Sequence, residues 1–163
     1  MLFTIWAGED WKLVNGQKSG LSQVASCYAS TNKKLSWNMP FEVTYETTVP
    51  SGWPQLVLEL HGRDFFGRNV VRGYGCVHLP SAEGKYITYS FRHERTVHLF
   101  QPKPISVITG LLGYLNGCTA EYKEAEKVLA TGEGREVTRV KTTGQAHVKV
   151  ETVKYNFNLY GYS

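Results

Sequence analysis

Apolar and polar residues alternate with a period of two over several short stretches. That is the pattern of strands with one face in a core and one in water. In FEVTYETT, Phe41, Val43 and Tyr45 share one face and Glu42, Thr44 and Glu46 the other. After Ser51 and Gly52, Pro54 biases Trp53 toward extended backbone. QLVLELH then places Leu56, Leu58 and Leu60 inward, with Val57, Glu59 and His61 on a partly apolar second face. GRDFFGRN is rich in turn formers and predicts a connection. VVRGYGCVHL predicts the next strand, closed by PSAEG. KYITYSF and RTVHLF predict a further pair around RHE, and Pro102 and Pro104 stop sheet pairing. EVTRV and HVKVETV predict a last pair joined by KTTGQA, with Ala146, Val148 and Val150 alternating against His147, Lys149 and Glu151. The aromatic tail YNFNLYGYS is expected to dock on the body.

Two segments carry helical signals. Ile105, Ile108, Leu112 and Leu115 recur near helical spacing, and AEYKEAEKVLA is built of helix formers up to Gly132. Many short strands with turn signals between them predict an all-β, antiparallel sandwich with one or two short helices. Without repeats or a linker, residues 1–163 are expected to form one domain.

Composition narrows the function. Hydrophobic residues make up 42% and charged residues 20% of the chain, enough apolar material for a core and too little charge for disorder. The net charge of +4 is spread without a run of five or more like charges, which argues against a nucleic-acid-binding tail. Arg139 and Lys141 share one side of a strand if no bulge intervenes, and Lys149 adds to them, so this trio is the candidate for weak contact with anionic lipid. Cys27, Cys76 and Cys118 are odd in number and far apart, and the start MLFTIWAGED has neither the basic region nor the apolar length of a leader. Both point to a reducing, intracellular setting. The longest apolar stretch, ISVITGLLGYL, is too short to cross a bilayer of ~30 Å as a helix.

Searches for chemistry return little. Cys76 and His78 lie on the same side of one strand, a possible ligand pair, but no second pair accompanies them. A calcium site needs roughly six to eight oxygen ligands. Asp10 and Asp64 are the only aspartates and fall on separate loops. GEGREV from Gly132 has two glycines of a dinucleotide loop and lacks the third, and no P-loop or nucleophile elbow occurs. The Gly73-Tyr74-Gly75 step inside a strand raises three readings: a phosphate cradle, a channel filter or close backbone packing. The strand-like continuation removes the first, and the lack of a spanning helix the second. Phe65 and Phe66 sit between turn residues. Such a pair ordinarily tucks under the sheet; otherwise it marks a contact surface.

Gly52 to Gly84 carries Gly52-Trp53-Pro54, then Phe66-Gly67, then Gly73-Tyr74-Gly75, then His78-Leu79-Pro80. In this order and spacing the stretch resembles the B9-domain family, and GEGREVTRV, with Gly132, Gly134, Arg135 and Glu136, extends the resemblance. The resemblance implies a C2-like β-sandwich without calcium ligands, in which these motif residues mainly specify the fold. It implies a non-enzymatic role, without cofactors, on the cytoplasmic side of the cilium base and associated with the cytoskeleton. There it would support ciliogenesis, the ciliary membrane diffusion barrier and Hedgehog signalling. The partners implied are B9 domain-containing protein 2, Meckel syndrome type 1 protein and a tectonic-type complex. The chain departs from the family in two ways. It starts at what resembles the second strand, LFTIWAGEDW, which is expected to leave a sheet edge unpaired. PSAEG also lacks a later proline common in that loop.

Overall fold

The computed structural model describes residues 1–27, 34–81, 91–117, 120–132 and 138–156. The elements run β1 Leu2–Trp6, β2 Lys12–Gly16, β3 Ser19–Leu21, β4 Val43–Glu46, β5 Gln55–Arg63, β6 Asn69–His78, β7 Phe91–Pro102, α1 Val107–Asn116, α2 Ala125–Thr131 and β8 Val140–Thr152. The strands form a six-stranded sheet, β3-β1-β5-β6-β7-β8, and a two-stranded sheet, β2-β4. The reported strand pairs are antiparallel. The fold is the expected all-β sandwich with two short helices.

Alternation along the strands builds two cores, one on each face of the large sheet. Phe3, Ile5, Leu56, Leu58, Val97, Leu99 and Ala146 form the first, against Met39, Phe41 and the β4 residues Val43 and Tyr45. Val57, Val71, Tyr74 and Phe100 form the second, closed by Leu129 of α2 with Tyr122, Ala125 and Ala130. Val57 therefore lies in a core although its neighbours Glu59 and His61 are polar. Those two pair with each other at 2.9 Å.

The glycines of β6 are explained by the first core. A Cβ on Gly75 would stand 2.7 Å from Val97 Cγ1 and 3.0 Å from Leu99 Cδ2, and one on Gly73 would stand 2.8 Å from Thr143 Oγ1. Close packing is the surviving reading: side chains of β7 and β8 occupy the space a Cβ would need. Between them Tyr74 points to the opposite face, 1% exposed.

Four expectations are corrected. RHE is not a turn, because β7 runs through it, and Glu94 beside His93 is a strand residue paired with Lys149. KTTGQA is not a hairpin connection, because β8 is continuous; a bulge absorbs Thr143 between the Leu99–Gly144 and Phe100–Thr142 pairs. Pro102 does not lie beyond the sheet but is the last residue of β7, opposite Val140. The unpaired edge expected at LFTIW is absent there, since β1 pairs with β3 on one side and β5 on the other. Most of KYITYSF and the end of the tail lie outside the described residues.

Candidate functional site

α1 starts at Ser106, whose hydroxyl accepts a hydrogen bond from the Thr109 N–H at 3.1 Å, and ends at Gly117 with φ 74°. The expected periodicity is present, and its apolar face points to solvent. No residue of α1 is buried, and Val107, Ile108, Leu111, Leu112, Tyr114 and Leu115 are all exposed, as is Ile105 before it. The half-buried positions are Gly110 and Gly113, with Gly117 just beyond the end. At 3.6 residues per turn the six large residues occupy an arc of about 160°. A surface helix normally turns such an arc to the core; this one turns its glycines inward and its apolar arc to solvent. The stretch from Pro104 to Ala120 contains no charged side chain.

The β5–β6 turn holds this helix by its C-terminus. Asp64 Oδ1 accepts from the N–H groups of Phe66 and Arg68 at 2.9 and 2.8 Å, an Asx-type turn that leaves Phe65 and Phe66 facing outward. Gly67 supplies the left-handed residue, φ 78°. Arg68 Nε donates to Asp64 Oδ2 at 2.8 Å, and its two terminal nitrogens donate to the carbonyls of Leu115 and Tyr114 at 2.9 and 2.7 Å. A cation is thus placed on the last carbonyls of α1, where the helix dipole favours it. Desolvation would raise the Asp64 pKa, but the hydrogen bonds and charge of Arg68 outweigh it and hold the carboxyl below its ordinary value. The Phe66 ring lies 6.0 Å from that of Tyr114 and under the Arg68 guanidinium at 4.8 Å. Phe65 is 87% exposed and Phe66 56%, so the pair does not tuck under the sheet.

The same end of the large sheet is basic. The antiparallel register brings together the end of β5, the start of β6, the end of β7 and the start of β8. These carry Arg63, Arg68, Arg72, Lys103, Arg139 and Lys141, and among the described residues there the one carboxylate is Asp64, already bound to Arg68. The main chains of Lys103 and Arg139 are joined, N–H to carbonyl, at 2.7 Å. The apolar arc and the cations therefore occupy one pole of the molecule.

A family model described as "Ciliary basal body-associated, B9 protein" matches residues 2–153. The chain belongs to this B9 family. B9 domain-containing protein 1 of Mus musculus is 41% identical over 155 residues, covering 95% of this chain and 72% of that protein. The Homo sapiens protein of the same name is 40% identical with the same coverage. B9 domain-containing protein 2 of Xenopus laevis is 28% identical over 163 residues, 98% of this chain and 86% of that protein. No solved structure matches the chain.

The described motif residues of this B9 chain separate into four places. Gly52, φ 66°, lies against Gly8, where a Cβ would come 2.8 Å from the Gly8 Cα. Trp53 donates to the Leu79 carbonyl at 2.9 Å and meets Trp11 edge-on at 5.2 Å. Pro54 and Pro80 are buried beside it, and His78 is exposed at the end of β6. Gly73, Tyr74 and Gly75 lie mid-sheet. The Tyr74 hydroxyl accepts from the Tyr122 N–H at 3.4 Å, and burial pushes its phenol up to about 12. Phe66 and Gly67 lie at the α1 pole. Gly132 ends α2 with φ 80°, and Gly134, Arg135 and Glu136 lie outside the described residues.

The candidate lipid trio does not form one patch. Thr143 reverses the phase of β8, so Lys141 and Lys149 lie on opposite faces of the strand. Arg139 and Lys141 instead join the basic pole. Cys76 donates to Gln55 Oε1 at 3.1 Å, and no cluster able to hold a metal occurs among the described residues. The outward face of α1 was missed from the spacing alone. The available signal was chemical: a helix without charge whose glycines all fall on one side.

Proposed function

We propose that this chain is a non-enzymatic scaffold subunit of a ciliary transition-zone assembly, on the cytoplasmic side of the cilium base and in contact with its cytoskeleton. It binds other B9-domain proteins, with B9 domain-containing protein 2 and Meckel syndrome type 1 protein as the expected partners within a tectonic-type complex. Through that assembly it supports ciliogenesis and the membrane diffusion barrier. The observation that carries the reading is the family match over residues 2–153, to a family described as ciliary basal body-associated. The C2-like character of the sandwich rests on the same match. The architecture fits a subunit whose working parts are surfaces, since the β6 motif is occupied with packing and the α1 pole is left uncovered.

Tagged chain expressed in ciliated cells should concentrate at the ciliary base and co-purify with other B9-domain proteins. A uniform cellular distribution with no such protein in the purified material would overturn the proposal.

A further inference from the structure

We infer that α1 is a docking helix for a protein partner: Ile108, Leu111, Leu112 and Leu115 fill an apolar groove of that partner, and carboxylates on the rim of the groove meet the cations around the helix. This rests on the scaffold reading only for the place where the partner is sought. The four residues stand at i, i+3, i+4 and i+7, each more than half exposed. They span an arc of about 100°, the stripe with which a helix enters a protein groove. Tyr114 flanks the stripe and is already engaged, its ring 6.0 Å from that of Phe66. α1 also packs on no strand and not on α2 among the described residues. A helix of 10 residues without tertiary packing is marginal in water, and Gly110 and Gly113 within it weaken it further. The surface it would pack on is not supplied by the described part of the chain.

Charge selects the occupant. Arg63, Arg72, Lys103, Arg139 and Lys141 are exposed at this pole, and the one described carboxylate there, Asp64, is bound to Arg68 at 2.8 Å. A second copy docked through the same face would set cations against cations, which disfavours an isologous contact. A helix that lies on a bilayer carries its own cations on its polar side. α1 carries none: residues 104–120 hold no charged side chain, and its other side is Thr109, Gly110, Gly113 and Asn116. An uncharged stripe with cations around it instead matches the division of a protein interface into an apolar centre and a polar rim. Its complement is an apolar groove edged by Asp and Glu.

The test is photo-crosslinking of the full tagged chain in ciliated cells. The probe is p-benzoylphenylalanine in place of Val107, an exposed residue beside the stripe that leaves the four anchors intact, or in place of Lys149, toward the other end of β8, as the control. On irradiation the probe at Val107 should give a discrete protein adduct that the control does not. The crosslinked peptide of the partner, mapped by mass spectrometry, should be apolar and lie beside Asp and Glu. Leu111→Asp with Leu115→Asp should lower the adduct yield about tenfold. Lys103→Glu with Lys141→Glu, which leaves the apolar stripe untouched, should lower it roughly fivefold. Circular dichroism and thermal melting of both variants should match the unaltered chain. The absence of a protein adduct, an adduct between two copies of this chain, an adduct to lipid alone, or a yield indifferent to both pairs of changes would overturn the inference. An adduct of the expected kind to a protein outside any B9 assembly would uphold the docking helix and count against the scaffold reading. Co-purification with B9-domain proteins without such an adduct would do the reverse.

Discussion

α2 has seven residues and buries Leu129 against the large sheet; α1 has ten residues, more large apolar side chains, and buries none of them. The difference lies in where each helix is tied. α2 is held along its length: Thr4 Oγ1 donates to Glu126 Oε1 at 3.2 Å and Gln55 Nε2 to the Ala130 carbonyl at 3.1 Å. These bonds fix its rotation, so Leu129 enters the second core. α1 is capped by its own Ser106 at one end and tied to the β5–β6 turn by Arg68 at the other, and along its length it packs on no strand and not on α2 among the described residues. Apolar content alone does not decide which way a helix faces. The polar anchors along its length do.

Five measurements break or sharpen this contrast. The largest effect is expected at α2, where Leu129→Ala should cost about 2–5 kcal/mol in urea denaturation, as for other buried leucines. A loss below 1 kcal/mol, on the order of a surface change, would mean α2 is as loosely held as α1. Next, Tyr74→Phe removes the acceptor of the Tyr122 N–H ahead of α2 and should cost about 1 kcal/mol at neutral pH. The Tyr74 phenol is raised from 10.0 to about 12 in the folded protein. Its stabilising contribution is therefore complete below pH 10 and lost as pH rises toward 12, and the phenylalanine variant should lack that part of the alkaline loss.

At α1 the effects should be local. Arg68→Met withdraws the cation from the last carbonyls, a contribution of about 0.3–1 kcal/mol. Amide exchange across residues 114–117 should accelerate while exchange in β5 and β6 cores stays slow. Acid should act on the same point. The carboxyl of Asp64 is lowered in the folded state, so its contribution is present above its ordinary value of 3.8 and lost as pH falls below that. Exchange at the end of α1 should rise over that acid range, and Asp64→Asn should remove the dependence. The smallest effect is expected for Leu111→Ala, within about 0.5 kcal/mol. A change of several kcal/mol would show that the arc is covered in solution.

Much of the fold was legible because strand faces obey a period of two. Phe41, Val43 and Tyr45, or Leu56, Leu58 and Leu60, are read directly, and all pack on the first core. The misread segments are those where a polar run or a bulge interrupts the pattern within a long strand, at RHE in β7 and KTTGQA in β8. The bulge at Thr143 also separates Lys141 from Lys149, which no spacing rule anticipates. At the candidate site, Phe65 and Phe66 were visible as an apolar pair among turn formers. α1 was legible as a helix and illegible as a surface. Its spacing is the same whichever way it faces, and the facing is set by Arg68, distant in sequence from the carbonyls it binds.

The tryptophan cluster at the far pole has a spectroscopic consequence. Trp6 sits opposite Gln55 at the start of β5, Trp11 meets Trp53, and Lys154 lies over the Trp53 ring at 5.2 Å, all at the end of the sheet away from α1. Three of the four indoles therefore watch the pole where the chain enters β5 and leaves β8. Loss of the fold will redshift their emission, while an event confined to the α1 pole will leave their share of it unchanged. The molecule carries its own internal reference fluorophores, against which a dye placed at Tyr114 can be read.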